Sequence, residues 1–509
     1  MELKRKLVAV AAAGALVLTL GACTSSDPAE QGSQNTEIRY GVNQTLQDWD
    51  TRKFTNNVYG SLPYENLVTT EADKAVYVPQ LAESWVHSND SLSLTLREGV
   101  EFHDGTAFNA DAVVANLLQI KESPNFSGAF SAVSGVEKVG EYEVLVSLSR
   151  PYPTLLADLA GRGTKMISPA ALADESYLTT AVGTGPYVHD AENSTAGSEE
   201  VFVRWDDYYD DSFDGATKVS VVSIPDASAR YNALRAGQVN VIELSNDMAE
   251  RAESDGMTVF TAKPASMHLQ FRDQTAGGPF ELLEVRQAIC HAIDTESIIA
   301  AQQAGMGQVA NQIVPQGSIG YSDNIEGYDY DPEESRKLLE SVGNPNVSFE
   351  LPVLAGFEVA HQILAENMKE VGIDVELVQM SRGQYFGSTY SQDYPIFYSG
   401  NADFATWLEG PYAYASLRFT GTSPANTFKI PSPELDAILS AGLQMEQGSA
   451  EQEAQWMKIT EWVDETANAC AILERDFAFA FDPAEIADIK GQEYSPLEVA
   501  YRTVVFPGS

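Results

Sequence analysis

The chain has 509 residues, 44% of them apolar and 10% aromatic, which suits a packed globular protein but exceeds what one hydrophobic core usually supports. Its formal charge is −42, from 73 acidic against 31 basic residues. That balance excludes a nucleic-acid partner, whose phosphates need basic neutralisation, and excludes docking to anionic lipid through a basic face. The acidity reads either as attraction for cationic solutes or as solubility and salt adaptation, and its spread along the whole chain favours the second reading.

Lys4, Arg5 and Lys6 precede an uncharged apolar run from Leu7 to Leu20. This is the pattern of an export signal, and the run falls short of the roughly 20 residues a membrane span needs. The following Leu20-Gly21-Ala22-Cys23 resembles the lipobox of bacterial lipoproteins, small residues before a cysteine. That resemblance implies that residues 1–22 are a signal peptide and that Cys23 becomes the lipid-bearing N-terminus. Ordinary cleavage beside an incidental cysteine is the alternative. Two or more acyl chains anchor stably where one is marginal. Residues 23–36 are polar and small and read as a flexible tether, so the folded protein begins near Glu37.

Glu37–Val42 alternates as a short strand, and 44–57 is polar and loop-like. Leu92, Leu94 and Leu96 alternate with Ser91, Ser93, Thr95 and Arg97, the period of a half-buried strand. Glu98-Gly99 interrupts it, Val100 and Phe102 resume it, and His103-Asp104-Gly105-Thr106 is a turn. Asn109 caps a helix that buries Val113, Val114, Leu117 and Leu118. Another strand, 143–148, is closed by Pro151 and Pro153. Gly183-Thr184-Gly185-Pro186-Tyr187 is glycine-rich, yet no Lys-Ser or Lys-Thr follows and Pro186 removes a donor, so it reads as a structural turn.

Strand 219–224, a helix capped by Asp226 with Ala229, Ala233 and Leu234 inward, and strand 239–244 follow in order. Residues 284–294 form an apolar-faced helix. Asp331-Pro332 starts another with Leu338 and Leu339 inward, stopped by Gly343. Val359–Val371 is amphipathic through Ile363, Leu364 and Met368, closed by Gly372, and strand 373–377 follows. Strands alternating with helices predict α/β lobes.

Several stretches resemble the family-5 extracytoplasmic solute-binding proteins, the peptide- and nickel-binding subunits of ABC importers. The longest is Pro79–Leu118, PQLAESWVHSNDSLSLTLREGVEFHDGTAFNADAVVANLL. Val58–Leu67, the Gly183–Tyr187 turn, the 226–244 unit, EVRQAICHAID at 284–294 and the 359–378 unit match as well. The resemblance covers about Glu37 to Ile489. It implies an α/β, two-lobed, type II periplasmic-binding-protein-like fold of cluster C kind. Lobe I would comprise 37–268 with 475–509, carrying an inserted subdomain at about 61–177, and lobe II 269–474.

No catalytic constellation stands out. The histidines 87, 103, 189, 268, 291 and 361 show no His-x-x-x-His, and no Cys-x-x-Cys accompanies them. No nucleophile elbow occurs, and carboxylates are too many for any pair to discriminate. No enzyme, cofactor or resident metal is expected. Cys290 and Cys470 either pair in an oxidising exterior or stay as buried thiols.

Clefts between lobes need aromatic walls and a few aimed polar groups. The richest segment is 394–419, YPIFYSGNADFATWLEGPYAYASLRF, about half of whose rings are expected to be core. The resemblance places Asp403 at the aspartate that pairs with a peptide's α-ammonium in family members, beside Asn401 and Tyr398. Gly400, however, stands where the family usually has tryptophan. Trp407 either supplies that ring or packs. Asn43 and Gln44 follow the first strand, where lobe I contacts often arise. Arg272 and Arg418 either meet a ligand carboxylate or pair with a nearby acid.

The expected function is a lipid-anchored, monomeric receptor on the outer face of the cell membrane. It would capture a di- or oligopeptide and deliver it to an ABC permease and ATPase. An oligosaccharide or nickel-chelate ligand competes within the family, and a secreted lipoprotein hydrolase or a surface sensor competes outside it.

Overall fold

Glu37–Val42 alternates as its sequence predicts, with Ile38, Tyr40 and Val42 wholly buried. In the computed structural model it runs parallel to Lys218–Ser223 on one side and to Val241–Leu244 on the other. The structure describes residues 36–489 and 504–507, apart from 47, 54–56, 71–76, 124–128, 153, 304, 354–355, 381–383, 386–387, 389–390, 402–409, 421–425 and 446–448. The signal, Cys23 and tether therefore lie outside the described residues, as do Asp403 and Trp407.

Ala227–Arg235 is the helix that carries the chain between the two parallel neighbours. The Asp226 carboxylate accepts from the Ala229 amide at 2.7 Å to cap it, and Gly237 ends it at φ 68°. Ala229 faces solvent, contrary to the sequence expectation; Arg230 and Tyr231 join Ala233 and Leu234 on the inward face. Arg230 can be buried because its guanidinium donates to the carbonyls of Glu243, Ile224 and Pro225.

A separate apolar cluster extends from Leu67 to Met166, against an antiparallel sheet ordered Ala82–His87, Ser91–Leu96, Glu143–Leu148, Val133–Gly140. Leu92, Leu94 and Leu96 supply its inward stripe. Gly105 turns at φ 78°, and the Asn109 side chain accepts from the Ala112 amide at 3.2 Å to start the helix Ala110–Glu122. That helix buries Val113 and Leu117, whereas Leu118 is 41% exposed and Ala110, Asn116 and Ile120 complete the face. The His103 amide donates to Gly183 O at 2.9 Å and its Nε2 lies 2.9 Å from Gly185 O. A Cβ on Gly183 would sit 2.1 Å from Pro63 O, so the glycine turn serves close packing.

Two long antiparallel strands, Thr258–Phe271 and Ala469–Phe481, link the two lobes. At one end Ala478–Phe481 pairs with Val241–Leu244 of the first lobe. At the other, Ser266–Phe271 pairs with Ile396–Asn401, and Leu473 and Glu474 with Gln308–Val309. The register between the crossover strands slips between Ala262 and Ala265 and again between Met267 and His268. After the second strand, Asp488–Ile489 pairs with Val504–Val505, whose flanking Val504 and Phe506 pack on the first lobe's core.

The second lobe has two apolar clusters. One gathers Leu283–His291, Glu358–Glu370 and the parallel pair Ser348–Val353/Asp374–Gln379 against the apolar face of Thr258–Phe271. The other packs Gly410–Arg418, Pro433–Gly442 and Ala450–Glu465 around Trp456 and Trp462. Asp331 caps Pro332–Ser341 by accepting from the amides of Glu333 and Glu334. No helix among the described residues is long and apolar enough to cross a membrane.

The cysteine question is settled by packing: Cys290 on its helix and Cys470 on the second crossover strand are disulfide-bonded, Cα atoms 5.3 Å apart, inside the lobe. Closing a loop of this length constrains the unfolded chain. Cys290→Ala/Cys470→Ala is expected to lose about 2–5 kcal/mol of unfolding free energy. Urea unfolding monitored by fluorescence, with and without reductant, checks it, and wild-type protein in reductant should show a comparable loss.

Candidate functional site

In open α/β sheets ligands meet the carboxyl ends of parallel strands. Asn43 and Gln44 leave the carboxyl end of Glu37–Val42, close to where the crossover strands change register. Asn43 is exposed, and its amide donates to the Glu243 carboxylate at 3.1 Å. Gln44 is half-buried and its carbonyl accepts from Tyr59 Oη. Asn246 reaches across, its Nδ2 donating to Gln303 Oε1 at 3.0 Å and to Asp476 O at 3.4 Å.

The stretch 266–272 at the end of the first crossover strand is unusual. Met267, Leu269 and Phe271 bury one face in the apolar cluster. Ser266, His268, Gln270 and Arg272 occupy the opposite face, and all four are buried too. The cover over them is the helix Gly410–Arg418. Tyr414 meets the His268 ring edge-on at 4.8 Å, and Arg418 lies 5.7 Å over the Tyr414 ring while donating from Nη1 to Gln270 Oε1 at 3.2 Å. Ser266 donates to Gln312 O.

This polar layer is incompletely paired. Among the described residues His268 Nδ1 and Nε2, Tyr414 Oη and Arg418 Nε are buried without a hydrogen-bond partner. Each such group costs about 1–3 kcal/mol. Burial, followed by the charge of Arg418, pushes the His268 pKa down to about 3, so its ring is neutral at ordinary pH. Arg272 falls to about 10, through burial first and then the Arg418 charge. The Arg272 Nη2 donates to Ser391 O and Thr427 Oγ1, and its guanidinium stacks on Phe397 at 4.9 Å.

The structure thus brings two of the sequence candidates near each other, Arg272 and Arg418, whose hydrogen-bond partners include Ser391, Thr427 and Gln270. Asn43 and Gln44 belong to the other lobe. Tyr398 is corrected: it is wholly buried in the lobe II core, against Phe357 and His361, and offers no surface to a solute. Asn401 closes its strand opposite Ser266, with its side chain outside the described set, as are Asp403 and Trp407. Of the aromatic segment, Phe397, Tyr398, Tyr412, Tyr414 and Phe419 are all core, more than the half expected. His268, Gln270 and Tyr414 were missed. Their only signal is polar residues at every second position of 266–272, which reads as a solvated strand face when no cover is known.

A profile described as "Bacterial extracellular solute-binding proteins, family 5 Middle" matches residues 76–423. The chain is 29% identical over 397 residues to the glutathione-binding protein GsiB of Escherichia coli O6:K15:H31, covering 74% of each chain. It is 27% identical over 465 residues, 87% of each, to GsiB of Pectobacterium atrosepticum. Among solved structures it is similar to DppA of Helicobacter pylori in complex with the peptide STSA, at TM-score 0.78 and 20% identity over 92% of this chain and 98% of that one. NikA of Brucella suis with Fe(III)-EDTA gives 0.77 and 23% over 92% and 99%.

The buried imidazole makes a pH prediction. His268 protonates near pH 6.5 when unfolded and only near pH 3 when folded, so the unfolded state binds the extra proton between those values. Its contribution is complete above about pH 6.5 and is lost as pH falls toward 3, at most about 1.4 kcal/mol per pH unit. His268→Leu should flatten the acid limb of a stability-versus-pH curve by about one proton's worth. It should leave neutral-pH stability equal or higher by about 1 kcal/mol.

Proposed function

Because the chain belongs to family 5 of the bacterial extracellular solute-binding proteins, we propose that it is a lipid-anchored receptor that captures a di- or oligopeptide between its lobes for an ABC importer. Solute-binding receptors of this family act outside the cytoplasm with a permease and an ATPase, and their role is transport rather than catalysis. The lipid on Cys23, the monomeric state and the peptide are the finer parts of the proposal.

The observation that carries it is the joint between the lobes. Among the described residues two strands cross it in the main sheet, and their pairing is irregular between Ala262 and Ala265. Such a joint bends at small cost while both cores stay intact, so a solute that prefers the closed form shifts the balance by its differential affinity. The lobes are taken to divide near residues 268 and 475, with the inserted subdomain at about 61–177. The separate apolar cluster from Leu67 to Met166 supports that insertion.

The peptide reading rests on Asp403, at the family's ammonium-binding position, and on the glutathione-binding name of the GsiB relatives. An ammonium–carboxylate bond in a water-poor cleft is stronger than a surface pair. Glutathione is therefore the first peptide to test.

Native mass spectrometry of purified protein should show a retained peptide, and thermal shift should rank glutathione and short peptides above oligosaccharides and nickel–histidine chelate. Asp403→Ala should weaken any amine-bearing peptide about tenfold or more. Unchanged affinity removes Asp403 from the role, and stabilisation by a sugar or chelate alone replaces the peptide. Turnover of the bound solute would revive the hydrolase reading.

A further inference from the structure

Resting on the receptor reading, we propose that Arg475 is a positioning residue for closure: its guanidinium, held between one ring from each lobe, sets the angle of the joint and biases the protein toward the arrangement that encloses the solute.

The second crossover strand reads RDFAFAF at 475–481. Alternation puts Arg475 on the face that carries the three phenylalanines. Phe479 and Phe481 belong to the first lobe's core, Phe477 packs against it, and Phe260 stacks on Phe479 at 5.1 Å. Each of these positions is a ring until the strand reaches the joint, where the next is a cation. Arg475 is paired with Ala265, at the edge of the register slip. There residues 263 and 264 of the first strand face residue 476 of the second, so the extra residue lies on the first strand and alternation in the second is kept. Pro264, inside the slip, has no amide hydrogen to give to the ladder. Main-chain pairing is thus interrupted beside this arginine, and side chains have the larger say in the angle.

The guanidinium carbon lies 4.8 Å from the centre of the Phe477 ring and 4.9 Å from that of Phe357. Phe357 precedes the helix Glu358–Glu370, is buried and belongs to the lobe II core. One cation is therefore shared by two rings that pack with different cores. Attraction between a cation and a ring face requires the two to lie within about 6 Å, so both contacts hold only over a limited span of joint angles. A guanidinium suits the place because its plane stacks on rings while its edge keeps other hydrogen bonds. Nothing in this needs the side chain to be otherwise free, and Arg475 has a further interaction beyond the two rings.

The angle that seats Arg475 is also one at which the lobes touch elsewhere. Beside it, Asn246 of the first lobe donates to Asp476 O and to Gln303 of the second. In the turn between Ala82–His87 and Ser91–Leu96, the Asn89 Nδ2 donates to Leu443 O, just past the lobe II helix Pro433–Gly442, at 3.3 Å. An angle that unseats Arg475 parts these contacts too. The bias is small, as transport requires: a partly exposed cation–ring contact shifts a balance by about three- to tenfold. That raises the share of closed receptor without preventing release.

Small-angle X-ray scattering of the full chain without solute, together with stopped-flow binding of glutathione, tests this. Arg475→Gln and Phe357→Leu are each expected to raise the radius of gyration and to weaken glutathione about three- to tenfold, mostly through faster dissociation. Arg475→Lys, still a cation, should fall between wild type and Arg475→Gln. Both changes remove one bridge, so the double variant should be no more open than Arg475→Gln alone. The melting temperature of each variant without solute reports folding separately. If glutathione does not bind the wild-type protein, the peptide reading fails and scattering alone decides: a shared, non-additive shift supports the role of Arg475. An unchanged radius of gyration in Arg475→Gln, or shifts of the two variants that add, overturns it.

Discussion

The antiparallel pairing of Thr258–Phe271 with Ala469–Phe481 is the interaction on which both lobes depend. Each strand belongs to two cores in turn. Phe479 and Phe481 pack with the first lobe, Cys470, Ile472 and Leu473 with the second. The disulfide to Cys290 ties the second strand to a lobe II helix, so that end of the strand moves with that lobe. Between the two ends the register slips at Ala262–Ala265, which interrupts the ladder. A joint with more strands would stiffen; a joint with none would lose the alignment of the cleft walls.

The same strand sets an energetic tension in lobe II. Met267, Leu269 and Phe271 bury apolar surface that favours folding, at roughly 25 cal/mol per Å². Ser266, His268, Gln270 and Arg272, on the other face, gain nothing comparable from burial and must be hydrogen-bonded to be tolerated. Ser266, Gln270 and Arg272 find partners, whereas His268 finds none among the described residues. A leucine at 268 would pack under Tyr414 without that loss. Retaining histidine there, under a helix that also bears Arg418, makes sense for a wall shaped for something other than its own stability.

Much of the fold was legible because local rules and burial agree. The strand Ser91–Leu96, the Asp104-Gly105 turn and the Asn109 cap are each specified within a few residues, and the structure reproduces them. Inward faces were less legible. Leu118 and Ala229 were expected inside and are outside, while Ile120 and Arg230 are buried on the inward faces of their helices. Arg230 is a residue that polarity alone sends to the surface; its three carbonyl partners come from loops and a strand that pattern reasoning does not bring together. The site was least legible. Tyr398 looked like a cleft aromatic and is core, while His268 and Gln270 looked like a wet strand face and are a buried layer. Covering by a helix some 140 residues away in sequence is a long-range event that periodicity cannot report.

Position 400 and the net charge bear together on the kind of solute. A side chain at Gly400 would begin 2.5 Å from Sδ of Met267, which belongs to the apolar face of the crossover strand, so the space beside position 400 is taken by a core methionine. The overall charge of −42 opposes the approach of an anionic solute, but at physiological salt surface charges fade over about 8 Å. What a solute meets inside a cleft is the local set of groups, and the acid-rich exterior governs solubility and approach.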